Sequence, residues 1–507
     1  KKEKINDQWN SLNVISNNAS TVGGLDLGLY KNIKGKNEIF YDLNENKFEI
    51  IYLLGSDDFK FKNYNKTLNS EEKIILLSPG NSKNGYLLNT GWTTNSEVEV
   101  PNSNTVWIIE SGNKLTPKSP VKIYFENNVG VRFERTITLD EKYLFTIKQK
   151  IINNSNKNYK FYPYAFLHRN NVPEDLTDFY ILHEGFVTVG DGELEEVDYD
   201  DVEEKKFTRE ASTGFVSLGD KYWLTSLIPN QGRKFRIDID YRQKYRASFI
   251  DLEGFNVDAN SSAVHTVKSV IGAKEVKLID KYAEELNIKQ FDLNVSYGIF
   301  YWIVRPMHVA LNYLYKFSGN YGYAIILLTI LIRIIFFPLN QYSFKSMSKM
   351  KVLAPQLNII KEKWKEDKVQ LQKETMKLYK ANGVNPMSSC FPILLQIPIF
   401  FSLYKLLLLD IAMRHAPFVW YWQDLSAKDS GGEWLFSFLP FNIPGFLEIG
   451  LLPVLMGVSM WATQKLNPMP GGTEAAEMQK KIFTWFPVFI VFILAPFASG
   501  LCLYWTC

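Results

Sequence analysis

Tyr321-Gly-Tyr-Ala-Ile-Ile-Leu-Leu-Thr-Ile-Leu-Ile-Arg-Ile-Ile-Phe-Phe-Pro-Leu339 is an apolar run whose one charge is Arg333. A bilayer hydrocarbon core about 30 Å thick takes about 20 such residues of helix to cross. The run reads as a membrane span and sets the class of everything around it. Further apolar segments stand at 390–409, 449–466 and 482–507. The last is too long for one straight crossing and is interrupted by Pro496-Phe-Ala-Ser-Gly500. It divides into spans at about 482–496 and 498–507, the second truncated at Cys507.

Upstream, residues 291–318 are apolar on one side but carry Asn294, Arg305, Pro306, His308, Asn312 and Lys316. That pattern predicts an amphipathic helix lying along the interface rather than a span. Near residue 290 the composition changes. Residues 291–507 hold 19 Lys+Arg against 12 Asp+Glu, which leaves 38 against 42 for residues 1–290 of a chain with 57 and 54. The slightly negative mean hydropathy averages two unlike halves.

Before that boundary the apolar period is two. Phe235, Ile237, Ile239 and Tyr241 alternate with Lys234, Arg236, Asp238 and Asp240, and Val129, Val131 and Phe133 with Gly130 and Arg132. One apolar and one wet face per strand predicts antiparallel sheets packed as a β-sandwich over 25–285, after a linker at 1–24. The acidic stretch Asp191–Glu204 reads as a solvated hairpin or loop rather than a basic partner's site. Scattered histidines, His168 and His183 among them, have no metal-ligand spacing. No Walker-type glycine loop is present. No enzyme, metal site or cofactor is expected. All three cysteines (Cys390, Cys502, Cys507) fall in the second half, so no disulfide framework holds the sandwich. Lys1 is not the start of a signal peptide, and a helix is expected upstream of it.

Lysine placement orients the bundle. The segment 341–385 has ten lysines against Glu362, Glu366, Asp367 and Glu374. It should be cytoplasmic, which puts the aromatic loop after residue 409 and the β-domain outside. Met347, Met350, Leu353, Leu357 and Ile360 recur at helical spacing, as do Leu371, Met376 and Leu378, so 341–385 reads as a helical hairpin. Its basic surface suits anionic lipid, an acidic partner or ribosomal RNA, and equally a role confined to topology.

Arg333 lies roughly 10 Å of helix from Asn340. A charge that deep costs about 2.5–3.5 kcal/mol on insertion scales. It either snorkels to the headgroups or faces a wet cavity. Thr329 shares its face, Gln396 and Ser389 share a face of the next span, and Ser459 and Thr463 a face of the following one. With only Asp410, at the far end of its span, to offer a carboxylate, the cavity is favoured. Lys405, near the outer boundary, should snorkel.

Gly319-Asn-Tyr-Gly-Tyr-Ala-Ile-Ile-Leu-Leu-Thr-Ile-Leu-Ile-Arg333 with Phe337-Pro-Leu339, Asn385-Pro-Met-Ser-Ser-Cys-Phe-Pro-Ile-Leu-Leu-Gln-Ile-Pro-Ile-Phe400, and Phe497-Ala-Ser-Gly-Leu-Cys-Leu-Tyr-Trp505 resemble, in order and spacing, the core helices of the YidC/Oxa/Alb insertase family. The resemblance covers 291–507. It implies a membrane insertase core over 319–507 and, in Gram-negative members, a periplasmic β-supersandwich before it. It implies a hydrophilic groove open to the cytoplasm and closed outside, with its arginine at Arg333, threonine at Thr329, glutamine at Gln396 and aromatic pair at Tyr504 and Trp505. The implied setting is the bacterial inner membrane. The implied partners are nascent inner-membrane proteins, the Sec translocon, the ribosome and the lipid bilayer, not DNA. Two rivals from other classes remain: a channel or transporter using Arg333, and a membrane-anchored sugar-binding protein working through the β-domain.

Overall fold

The computed structural model describes residues 59–385 apart from short gaps, 391–429 apart from 420, 449–466 and 474–507, together with strands at Leu25–Asp26 and Phe48–Ile50. It divides into two units, Lys1–Ser296 and Tyr297–Cys507.

The first unit is built of sheets. A nine-stranded sheet runs from Glu193–Asp198 through Gly185–Gly190, Gly214–Gly219, Trp223–Leu227, Ser261–Ala273, Leu144–Asn153, Val131–Leu139 and Val121–Glu126 to Ile108–Ser111. A seven-stranded sheet orders Leu25–Asp26, Tyr86–Thr94, Tyr159–Arg169, Tyr245–Asp251, Phe235–Tyr241 and Phe207–Ala211, with Phe255–Val257 paired to Tyr159–Arg169. Phe48–Ile50, Phe59–Asn65 and Lys73–Leu77 form a third. The long pairings are antiparallel, as alternation predicts. Strand Leu144–Asn153 buries every second residue, Phe145, Ile147 and Ile151 among them. Val129 is exposed in the turn, and the strand begins at Val131.

The expected wet face of Phe235–Tyr241 is covered. Arg236, Asp238 and Asp240 are as buried as Phe235, Ile237 and Ile239. Their charges are matched: Asp238 takes Arg236 at 2.9 Å and Lys206 at 2.6 Å, and Asp240 takes Arg246 at 2.5 Å. Part of the cover comes from the acidic stretch, which folds into a hairpin and a short helix, α1 (Tyr199–Glu204). Glu203 accepts from the Tyr245 hydroxyl, and Tyr199 packs edge-on against Tyr245. After the last strand, α2 (Val276–Glu285) closes the unit, and Phe291 packs on Phe215.

His183 does meet a carboxylate, Asp198, at 2.9 Å, but its other ring nitrogen lies 2.9 Å from the Phe186 carbonyl. Both nitrogens are engaged, and the pair ties the hairpin ends together. His168 and His265 are buried in the sandwich. Burial, with Lys244 and Arg246 nearby, pushes His168 down to about 3. Burial also brings His265 to about 4, with Asp251 opposing the shift and Arg233 adding to it. Both are depressed below the unfolded value of about 6.5, so the fold prefers them neutral. Their contribution is present above about pH 6.5 and is lost as pH falls toward those values, on the order of 2 kcal/mol each by pH 5. The denaturant midpoint of the β-unit should therefore drop between pH 7.5 and 5, and His168→Gln should flatten that slope. An unchanged slope would remove His168 from the account.

The second unit is helical. Residues 291–300, expected to begin the amphipathic helix, instead make two 3-10 turns, Phe291–Asn294 and Gly298–Phe300, because Gln290 and Gly298 both adopt left-handed conformations. The helix itself, α3, spans Tyr301–Ser318 and stops at Gly319, again left-handed. Trp302, Val309, Tyr313 and Phe317 form its exposed stripe, while Val304, Met307, His308 and Leu311 are buried. Next comes α4, Tyr321–Lys363, whose 43 residues make a helix about 64 Å long. That is twice a bilayer core, so the first span and the first arm of the hairpin are one helix, continuing through Pro338 and Pro355. The return arm is α5 (Lys368–Ala381), and Met350, Leu353 and Val384 form the hairpin's own small core with Met347, Leu378 and Tyr379. Then follow α6 (Phe391–Leu409), α7 (Leu451–Leu466), α8 (Glu474–Leu494) and α9 (Ser499–Thr506). By length and composition α4 is long and apolar enough to cross a membrane, and Leu394–Leu409 and Thr484–Leu494 are shorter apolar helices. α3 packs on α4 and α6, while α9 packs on α4, α6 and α7.

Candidate functional site

On α4 the buried ridge is Ile325, Leu328, Thr329 and Ile332, and the exposed stripe is Ile330, Ile334 and Phe337. Arg333 is one turn beyond Thr329, at the margin between ridge and stripe, and is exposed. Thr329 is 1% exposed, and its hydroxyl donates to the Ile325 carbonyl at 2.8 Å. It is a packing residue at the floor of the site, with its polar group satisfied by its own helix.

From α6, Gln396 reaches α9: its amide donates to the Tyr504 hydroxyl at 2.5 Å. Tyr504 is buried and also lies within the electrostatic reach of Arg333. Trp505 stacks edge-on against Phe400 of α6, 5.5 Å between rings, and its indole N–H has no partner among the described residues. Gln396 and Tyr504 thus join polar groups from two helices in an apolar bundle, and Arg333 stands on the third helix packed with them. Asp410, the carboxylate the sequence offers at the far end of its span, lies elsewhere, 3.0 Å from His308 of α3.

Other expected members do not join them. The Ser459 hydroxyl donates to the Met456 carbonyl and Thr463 to Ser459, each at 2.8 Å. Among the described residues no hydrogen bond or ring contact links either to the Arg333 group. Ser389 lies outside the described residues. Lys405 does not snorkel: it is 5% exposed, and its ammonium lies 3.1 Å from where a side chain on Gly298 would begin. The left-handed turn at Gly298 leaves the ammonium that room. Two features escaped sequence reasoning, the Tyr504–Gln396 bond and the buried His308–Asp410 pair. Neither had a local signal, because each joins residues about a hundred positions apart in the chain.

Two family models match the chain: the 60Kd inner membrane protein over residues 313–507 and the YidC periplasmic domain over residues 55–310. The membrane protein insertase YidC of Pelagibacter ubique is 50% identical over 452 residues, covering 89% of this chain and 80% of the relative. That of Brucella melitensis is 39% identical over 460 residues, covering 89% and 74%. A crystal structure of an active YidC insertase aligns over 92% of each chain at 19% identity, with a TM-score of 0.36.

Proposed function

The chain belongs to the YidC membrane protein insertase family, and from that premise we propose that Arg333, Gln396 and Tyr504 line the hydrophilic groove through which it inserts its clients. The family is one of insertases rather than enzymes, and its Gram-negative architecture of periplasmic β-domain plus helical membrane region is the architecture here. The Gln396–Tyr504 bond carries the reading, because it places hydrogen-bonding groups where a bundle would otherwise be dry.

The mechanism follows from cost. A polar tail drawn through hydrocarbon strands unpaired N–H and C=O groups, each costing several kcal/mol. A wet groove reaching part-way shortens the dry path, and Arg333 draws acidic segments into it. The client's apolar segment then leaves sideways into lipid, with no covalent step. The bundle sits multi-pass in the bacterial inner membrane, with the lysine-rich 341–385 hairpin in the cytoplasm. Clients are nascent inner-membrane proteins arriving from the ribosome, alone or beside the Sec translocon.

The test is a photo-crosslinker at Gln396 with a stalled nascent chain, compared with one at Val309, which is 69% exposed on the outward face of α3. Crosslinks should concentrate at Gln396. Equal yields at the two positions would remove the groove.

A further inference from the structure

We propose that the segment 410–429 is the outer seal of the bundle, with Asn320 and Asp429 as the residues that position it. The proposal rests on the groove reading above and says what keeps that groove a dead end. The segment is stitched to the ends of several helices at once. Asn320 caps α4 by accepting from Gly322 N at 2.8 Å and Tyr323 N at 3.3 Å. The same side chain's amide donates to the carbonyls of Phe418 (2.8 Å) and Pro417 (3.1 Å), binding the segment to the helix start. The fit there is tight: a Cβ on Gly322 would come within 2.0 Å of the Phe418 ring, which in turn meets Tyr323 and Trp422.

At its other end Asp429, 4% exposed, accepts from Leu452 N of α7 at 2.8 Å and from the Trp422 indole at 3.2 Å. Between these anchors the segment's backbone holds α9. Ser499 N donates to the Ala427 carbonyl (2.8 Å) and Gly500 N to that of Leu425 (2.9 Å), while the Ser499 hydroxyl donates to Asp424 O (2.8 Å). At its start Asp410 pairs with His308 of α3. Helices α3, α4, α7 and α9 are therefore tied to one segment that continues α6.

Directly beneath lies a dry layer. Ile325 of α4 and Leu407 of α6 are fully buried, and their side chains meet at Gly500 of α9, where a Cβ would lie 3.3 Å from Ile325 and 3.4 Å from Leu407. Arg333 is eight residues along α4 from Ile325, about 12 Å. The order along the axis is stitched segment, apolar layer, polar groove. Many backbone groups of this irregular stretch are paired within it, as Phe418 N with the Trp422 carbonyl and Leu425 N with that of Ala416, while His415 N and Ser426 N donate to the Asp424 carboxylate, which is the kind of pairing irregular backbone near a membrane needs. Asn320 and Asp429 touch no client; they act by holding the layer shut.

The experiment uses the full chain in membranes, with the native cysteines replaced and Gln396→Cys as reporter of a membrane-impermeant thiol reagent. In the parent, labelling should occur from the cytoplasmic side and not from outside. In Asn320→Ala or Asp429→Ala, outside labelling per membrane-resident molecule should rise about tenfold, the shift in an opening equilibrium on losing one buried hydrogen bond. Cytoplasmic labelling should be unchanged. Trp422→Phe, which removes the indole donor to Asp429 and keeps an aromatic ring against Phe418, should give a smaller rise and serves where an alanine variant does not accumulate. A merely structural role would lower the amount of protein without altering sidedness. Unchanged outside labelling in folded variants overturns the seal, whereas a parent unreactive from the cytoplasm overturns the groove instead.

Discussion

Arg333→Ala should weaken insertion of clients with acidic translocated tails by about tenfold, and of clients with neutral tails far less, while Arg333→Lys should keep most activity. The argument is electrostatic. At an effective dielectric of about 20, opposite charges about 6 Å apart attract by roughly 2–3 kcal/mol, enough for that factor. The attraction is available only if no protein carboxylate already neutralises the guanidinium. Asp410, the acidic residue the sequence offered, lies against His308 and accepts from Ala412 N. What the groove needs is positive charge rather than a bidentate fork, and Lys supplies that.

Paired clients differing only in tail charge, scored by protease protection, make the measurement. Equal loss for both, or equal loss in the Ala and Lys variants, would mean that Arg333 acts through stability alone. Accessibility gives a second reading. Arg333→Cys should react with an impermeant reagent from the cytoplasm, and Leu331→Cys on the outward face should not. Thr329→Cys should stay unreactive despite sharing the face of Arg333, because that position is 1% exposed.

How much of this was legible beforehand follows from what one-dimensional patterns carry. Period-two alternation placed Phe145 and Ile147 inward, because a strand's register is written in every second residue. It misjudges Arg236, Asp238 and Asp240, whose burial depends on partners elsewhere in the chain, Lys206 and Arg246, that no local pattern links to them. It also missed Gln149 and Asn153, polar residues on the inward face of the strand that carries Phe145.

In the helical unit, the apolar runs coincide with helices α4, α6, α7 and α8, and cost alone singles out Arg333. Continuity through Pro338 was not legible, since a proline removes one backbone bond without dictating where a helix ends. Lys405 looked like a snorkeller because its place in the run was visible but the chain folding over it at Gly298 was not. Gln396 was read as polar in a span. That its partner is Tyr504, more than a hundred positions away, is a fact of packing.

Removing residues 345–380 should cut insertion by about tenfold or more even where the bundle remains in the membrane. The structure supplies the reason. The first arm of the hairpin is the same helix that carries Arg333, so the deletion truncates a helix about 64 Å long rather than a loop. The hairpin's core is set by Met350 and Leu353, 7% and 6% exposed, and by Val384, just ahead of α6 and Gln396. Packing there fixes where the returning chain begins, and so connects the hairpin to the helix that carries Gln396. Leu353→Asp, which puts an unpaired charge into that core, should reproduce part of the loss. Replacing exposed lysines such as Lys361 and Lys365 should cost little if positioning is the hairpin's work. A hairpin that served only to set topology by charge predicts the opposite ranking, with the lysine variants impaired and Leu353→Asp normal. Insertion at parental rates without residues 345–380, with the spans still correctly oriented by protease mapping, would leave the hairpin no part in the reaction.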